Sequence, residues 1–181
     1  MTINYSENLQ RFKTLIENGA KNYRGKEKKA EIKNLLYWFV DNCPSKKGPE
    51  KSKKFSGYGI CKNNDYKKLK HRIIDKVKLK KEVSYKYCKN HSEMKKLISE
   101  IERIYSSRGK PTIYFSKGEF EEMDSLYIRI RNSFAHGNYF KKGNYYILWN
   151  ESGSNNKKNL SSFMTLKYEH LKAIYDALSD Y

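Results

Sequence analysis

Cysteine, proline and long apolar runs are all scarce in this chain of 181 residues. Its three cysteines, Cys43, Cys61 and Cys88, are an odd number at irregular spacing, which argues against a disulfide framework. No stretch approaches the ~20 apolar residues of a membrane-spanning helix, and the N-terminal residues contain no apolar signal region. These absences predict a cytoplasmic protein with no membrane association. The length is sufficient for a core without disulfide bonds or metal.

Acidic residues are few relative to basic ones. The chain has 38 Lys and Arg against 20 Asp and Glu, a formal net charge of +18. Residues 46–89 alone hold 16 basic and 4 acidic residues. Because Lys and Arg make the phosphate contacts of nucleic-acid-binding proteins, this excess favours a nucleic-acid partner. The alternative is a lysine-rich surface that reflects an AT-rich genome. The candidate substrate-binding residues are Lys67, Lys68, Lys70 and Arg72 of this block, together with Arg129.

Apolar residues three and four positions apart predict helices between the few prolines and glycines. The predicted helices cover residues 6–16, 26–42, 64–80, 92–107, 117–136 and 168–178. Ser116 and Glu119 form a capping box for the fifth of these helices, and Gly137 is placed to end it in the left-handed conformation. The stretch 81–90 is ambiguous.

Extended structure is expected only in short pieces. Residues 112–115 and 161–165 are candidate short strands, and two β-prone runs around a Gly-Asn turn predict a hairpin over 139–149. The sequence therefore predicts a mainly α fold, a helical bundle with a small β-hairpin near the C-terminus. A single domain is expected over 1–181, with basic N-terminal helices in 1–110 and the fifth helix, the hairpin and the last helix in 116–181.

The predicted helix 117–136 carries two kinds of face. Its apolar stripe consists of Met123, Leu126, Tyr127, Ile130 and Phe134. Asn132 and His136 are four residues apart and share a face that points away from this stripe. Ser125 and Arg129 lie on or beside the same face. Arg131 lies to the side, and its long side chain can reach toward that face.

These side chains have the chemistry that phosphodiester cleavage needs. Histidine gains or loses a proton near neutral pH, and the arginine guanidinium can donate two parallel hydrogen bonds to phosphate oxygens. Together they can perform acid–base chemistry on a phosphodiester without metal. The alternative is a solvated helix end, where His136 and Arg131 only favour the negative end of the helix dipole.

The run Arg131-Asn132-Ser-Phe-Ala-His136-Gly137 resembles the R-x4-H signature of the HEPN superfamily (higher eukaryotes and prokaryotes nucleotide-binding). The resemblance is best over residues 117–181, and it is closest to the small bacterial members linked to defence and toxin systems. It implies a helical bundle that dimerises through the motif helix, so that two motifs form one cleft. It also implies metal-independent RNA cleavage by the substrate's 2′-hydroxyl. His136 would then be the acid–base residue, Arg131 would stabilise the pentacovalent phosphate and Asn132 would position it.

Two alternatives stay open beside an endoribonuclease of anti-phage defence or of a toxin–antitoxin pair. The first is a non-catalytic HEPN module that binds RNA, a nucleotide or a partner protein. The second is a basic nucleic-acid-binding protein in which the match to the R-x4-H motif is accidental. A zinc site from Cys61, His71, Cys88 and His91 is disfavoured, because no spacing pairs its two halves. We expect no cofactor and no metal. The HEPN toxins silenced by a nucleotidyltransferase have Tyr two residues after the motif His, where this chain has Asn138, so silencing of that kind is not expected.

Overall fold

The computed structural model describes residues 5–23, 29–44, 54–107, 109–117, 121–153 and 158–179. Helices and strands are interspersed along the chain. In order they are α1 (Tyr5–Tyr23), α2 (Lys29–Leu36), a π-helical turn (Tyr37–Asp41), a 3-10 turn (Phe55–Tyr58), α3 (Asn63–Val77), β1 (Tyr85–Cys88), α4 (His91–Lys96), α5 (Ile98–Ser106), β2 (Thr112–Ser116), α6 (Glu122–Ala135), β3 (Tyr139–Lys142), β4 (Tyr145–Ser152), β5 (Asn159–Lys167) and α7 (Tyr168–Ser179).

The strands form one five-stranded sheet in the order β1-β2-β5-β4-β3. β1 and β2 are parallel, and the other neighbouring pairs are antiparallel. A parallel pair needs a crossover connection, and α4 and α5 provide it here. As a result β1, β2 and β4 all finish at the same end of the sheet, which we call the carboxyl end, with Cys88, Ser116 and Ser152 as last residues.

Helices cover both faces of the sheet. One core cluster joins residues of α2, α3, α6 and α7 to one face, and a second joins α1, α4 and α5 to the other. Alternate residues of β4 enter different clusters, with Leu148 in the first and Ile147 in the second. Strands that are covered on both faces form nearly continuous apolar runs, so their sequences resemble those of buried helices.

The prediction of a mainly α bundle with a small hairpin is wrong, because the structure is a mixed α/β fold built on the sheet. The predicted hairpin is present as β3 and β4, but it continues into β5, which in turn pairs with β2. The pairing of Thr112 with Thr165 joins residues 53 positions apart. Nothing in the local sequence specifies that pairing. The stretch 81–90, left ambiguous above, contains β1.

The predicted helix 117–136 begins later than expected. Ser116 is the last residue of β2, so it does not cap the helix, and α6 begins at Glu122. Glu119, the other half of the predicted capping box, lies outside the described residues. At the other end the prediction is confirmed: Gly137 follows the helix with φ +67°, in the left-handed region.

Helix α6 lies between the sheet and the other helices of its layer. All five residues of its predicted apolar stripe are buried, which confirms the stripe. Asp124, Ser125 and Ser133 are buried as well, so eight of its fourteen residues are inaccessible. Ser125 lies on the face that the sequence directed away from the core. At Ser125 that face is buried against the sheet, because α6 contacts both β2 and β4. Toward the C-terminal end it becomes accessible, since Arg129 and Asn132 are half-buried and His136 is exposed.

Among the described helices, none is both long and apolar enough to cross a membrane.

Candidate functional site

The three motif residues lie at the C-terminal end of α6, which reaches the carboxyl end of the sheet. His136 caps the helix, with its backbone N–H donating to the carbonyl of Asn132 at 3.0 Å. Asn138 then donates to the carbonyl of Ser133 at 2.8 Å and accepts from the backbone N–H of Trp149 at 3.2 Å. The imidazole of His136 is exposed, so a substrate can reach it.

The Arg131 side chain is half-buried and has no carboxylate partner among the described residues. Its Nη1 donates a long hydrogen bond of 3.5 Å to Oδ1 of Asn132. Its Nε is buried and makes no hydrogen bond. Burial raises the pKa of the Cys43 thiol, and the positive charge of Arg131 opposes that rise. Arg131 is therefore close to Cys43 on the helical layer and carries an uncompensated charge.

Arg131 and His136 are not brought together within one chain. Five helical positions correspond to a rotation of about 140° around the axis. No hydrogen bond joins the two side chains, both of which are described. The resemblance implies a site in which a second copy of the helix end brings the two groups to one phosphate.

A buried polar network fastens this part of α6 to β4. The side-chain amide of Asn150 donates to the carbonyl of Arg129 at 2.6 Å, to Oγ of Ser133 at 2.7 Å and to Oγ of Ser162 at 3.0 Å. Ser133 also donates to the carbonyl of Trp149 at 3.1 Å. Because buried polar groups are costly when they lose their partners, this network fixes where the motif lies against the sheet.

We expect Asn150→Ala to lower the free energy of unfolding by about 2 kcal/mol, because it removes three buried hydrogen bonds and leaves their acceptors in an apolar cavity. Urea denaturation followed by circular dichroism measures this loss. Asn63→Ala is the matched control, since Asn63 is exposed at the first residue of α3. Equal stability of the two variants would show that the network does not hold α6.

A histidine that the sequence did not single out as functional also lies at the carboxyl end of the sheet. His91 is the first residue of α4, directly after β1. Its Nδ1 lies 3.5 Å from Oγ of Ser116, and its Nε2 lies 3.2 Å from Oγ of Ser152. The sequence offered only the spacing of His91 from Cys88, which was weighed for a zinc site, and an ambiguous stretch before it. The contacts with Ser116 and Ser152 depend on the strand order, which the sequence does not reveal.

The basic residues predicted to bind substrate are not gathered at the motif. Four of the five lie on α3, where Lys67 and Lys68 are exposed. Lys70 pairs with Glu122 at 2.6 Å, and Arg72 donates to the carbonyl of Ala177 at 3.4 Å. Glu122 is the first residue of α6, about 20 Å along the helix axis from His136. Arg129, by contrast, is half-buried on α6 itself.

A cavity of about 350 Å³ opens beside the motif, between α1 and the sheet. Its lining includes Asn138, the half-buried Trp149, Lys13 and Lys158. Lys13 pairs with Glu151 at 2.7 Å, whereas no carboxylate within the described ranges pairs with Lys158. An aromatic ring next to a lysine is a combination that binds unstacked RNA bases and their phosphates.

Within the described residues, no group of three or more His, Cys, Asp or Glu side chains is placed to hold a metal ion. Cys88 is buried and Cys61 is exposed. Both ring nitrogens of His91 contact serine hydroxyl groups, those of Ser116 and Ser152.

Comparison of the chain with protein-family models, with curated proteins and with solved structures gives no match.

Proposed function

We propose that the chain is a metal-independent endoribonuclease that acts through Arg131, Asn132 and His136. The observation that carries the proposal is the end of α6. There an exposed imidazole lies one helical turn from a carboxamide and an arginine without a carboxylate partner. A guanidinium in this state is available to a phosphate group, and the net charge of +18 favours association with a polyanion.

The chemistry follows from the side chains. His136 takes the proton of the ribose 2′-hydroxyl, whose oxygen attacks the phosphorus bonded to the adjacent 3′-oxygen. The bond to the 5′-oxygen of the next nucleotide breaks, and that oxygen leaves as a hydroxyl with a proton from an imidazole. The products are a 2′,3′-cyclic phosphate and a 5′-hydroxyl. Arg131 stabilises the pentacovalent phosphate and Asn132 positions it.

The active form that we propose is a homodimer. Because eight of the fourteen residues of α6 are buried within its own chain, its C-terminal end is the part with the most surface for a second copy. Ala135, His136 and Gly137 are exposed there. We propose that a two-fold axis at this end brings His136 of each chain beside Arg131 of the other, across the 140° separation within one chain.

The resemblance also supports a biological setting, in which the enzyme acts in the cytoplasm in anti-phage defence or as the toxin of a toxin–antitoxin pair. An antitoxin or another protein of the defence system would then hold it inactive. Expression of the wild-type chain and of the motif variants in bacteria, with growth as the readout, separates a toxic activity from a harmless one.

Cleavage of single-stranded RNA in the presence of EDTA tests the activity directly. We expect the wild-type chain to cut and the Arg131→Ala and His136→Ala variants to be inactive, with products that carry a 2′,3′-cyclic phosphate. His71→Ala is the matched control, because His71 is exposed on α3 away from the motif. Equal cleavage by the wild type and both motif variants would disprove the assignment.

The second candidate is a non-catalytic module that binds RNA. It is favoured by one observation: in the part of the chain that the structure describes, no hydrogen bond orients the His136 imidazole, whereas acid–base catalysts are normally held in place. RNA binding without turnover, unchanged in His136→Ala, would decide for this candidate.

A further inference from the structure

Arg129 is a second arginine of α6 without a counter-ion. Its side chain is half-buried, and burial lowers the pKa of its guanidinium. Among the described residues no carboxylate pairs with its guanidinium. The hydrogen bonds of Arg129 instead involve its backbone carbonyl, which accepts from the side chains of Asn150 and Ser133. A charged group that loses water without gaining an opposite charge is costly. The guanidinium can therefore bind an anion without first breaking an ion pair.

His91 lies within the electrostatic reach of Arg129. Burial lowers the pKa of the His91 imidazole, and the positive charges of Arg129 and then Lys95 lower it further. The neutral ring that results is flanked by the hydroxyl groups of Ser116 and Ser152. These groups come from α4, α6, β2 and β4, which meet at the carboxyl end of the sheet. They supply hydrogen-bond donors and no negative charge.

We propose that Arg129, His91 and Ser152 form a phosphate-binding subsite that holds a second phosphate of the RNA strand cleaved at His136. The identity of the ligand as RNA rests on the proposed function, whereas the anion site does not. Arg129 precedes His136 by seven residues, so the two lie within about 20° of one direction and about 10 Å apart along the axis. Asn132 lies between them. One RNA strand that follows this line meets both sites.

The guanidinium gives this subsite its preference for phosphate. It offers paired N–H donors that match two phosphate oxygens. When the His91 imidazole is charged, its Nε2–H donates to Oγ of Ser152, and the Ser152 hydroxyl proton is then free to donate to the anion. The bulge in the β4–β5 pairing between Asn150 and Glu151 bends the end of β4, just before Ser152.

The pKa of His91 reports occupancy of the subsite without any cleavage. A bound anion favours the charged imidazole, so saturation with a 2′-O-methyl tetranucleotide is expected to raise the pKa of His91 by about one pH unit. This strand has no 2′-hydroxyl and stays intact. NMR titration of chains labelled with ¹⁵N in their histidines measures the change. Sulfate, which keeps its charge over the titration range, is the second probe.

Arg129→Gln and Lys95→Gln form a matched pair of variants. Each removes one positive charge that acts on His91, so each raises the pKa of His91 in the free protein. Only Arg129→Gln is expected to abolish the further rise caused by the tetranucleotide. Arg129→Lys keeps the positive charge but loses the paired N–H donors of the guanidinium. The pKa of His91 in the free protein is therefore expected to stay nearly unchanged, while binding of the tetranucleotide weakens. An unchanged unfolding transition shows that each variant is folded.

The outcomes separate the subsite from the ribonuclease. A pKa of His91 that does not respond to the tetranucleotide, or a response that persists in Arg129→Gln, overturns the subsite. A response to sulfate alone identifies a site for free anions and overturns it too.

If His91 responds but RNA is not cut, the subsite stands and the ribonuclease fails. If RNA is cut, Arg129→Gln is expected to raise KM by about tenfold and to leave kcat within about twofold. An unchanged KM would count against the subsite alone.

Discussion

A mixture of Arg131→Ala and His136→Ala chains is expected to recover about one quarter of the wild-type rate of RNA cleavage. Each variant alone is expected to fall by about a thousandfold, because it lacks either the acid–base group or the group that stabilises the transition state. The recovery follows from a site that takes Arg131 from one chain and His136 from the other. Half of the randomly mixed dimers are hybrids, and one of the two sites in each hybrid is intact.

The measurement uses co-expressed chains with two different affinity tags, and the initial rate is followed on a labelled single-stranded RNA. Arg131→Ala mixed with a chain that carries both substitutions is the control, because no combination of these chains restores a complete site. A hybrid dimer that forms but stays inactive would show that the active site lies within one chain. Cleavage by a wild-type protein that light scattering finds monomeric would show the same.

Replacing Phe163 by Ala is expected to lower the free energy of unfolding by about 4 kcal/mol. Phe163 is fully buried on β5, where it pairs with Tyr114 of β2 and with Trp149 of β4. Its ring also meets Phe12 of α1 edge to face, with the ring centres 5.5 Å apart. The substitution therefore leaves a cavity between the sheet and the α1 layer.

Urea denaturation measures this loss, and Tyr37→Ala is the control because the Tyr37 side chain is 57% exposed. We expect the control to change stability by less than about 0.5 kcal/mol. A loss of only about 1 kcal/mol for Phe163→Ala would contradict a central β5. It would instead suit a short strand at the edge of a helical bundle.

Local periodicity predicted much of the helical structure. The positions of α1, α3 and α7 follow from apolar residues three and four apart, and the buried stripe of α6 follows from the same spacing. The left-handed Gly137 is also a local property, since glycine lacks the Cβ that makes this conformation costly. These features are fixed within a few neighbouring residues. The predicted helix over 92–107 was less accurate, because Leu97 separates α4 from α5.

The sheet could not be predicted in the same way. The strands that pair are far apart in the chain, as with β2 and β5, and both of their faces are covered. Such strands lack the polar–apolar alternation that identifies a half-exposed strand. The β4 run Tyr145-Tyr-Ile-Leu-Trp149 was correctly assigned to a strand, and the candidate strand 161–165 lies within β5. The pairing of β5 with β4 and β2, and the extent of the sheet, were missed.

The sequence by itself determined the motif residues Arg131, Asn132 and His136, the helix that carries them and the excess of positive charge. Only the tertiary structure decided that this helix is buried on both sides, with its C-terminal end left exposed. It also decided that Asn150 holds the helix, and that His91 contacts Ser116 and Ser152 where the charge of Arg129 acts on it. The physical reason is that helix hydrogen bonds join residues four apart. The contacts around Arg129 depend on strand pairing between distant segments, which forms only when the whole core is assembled.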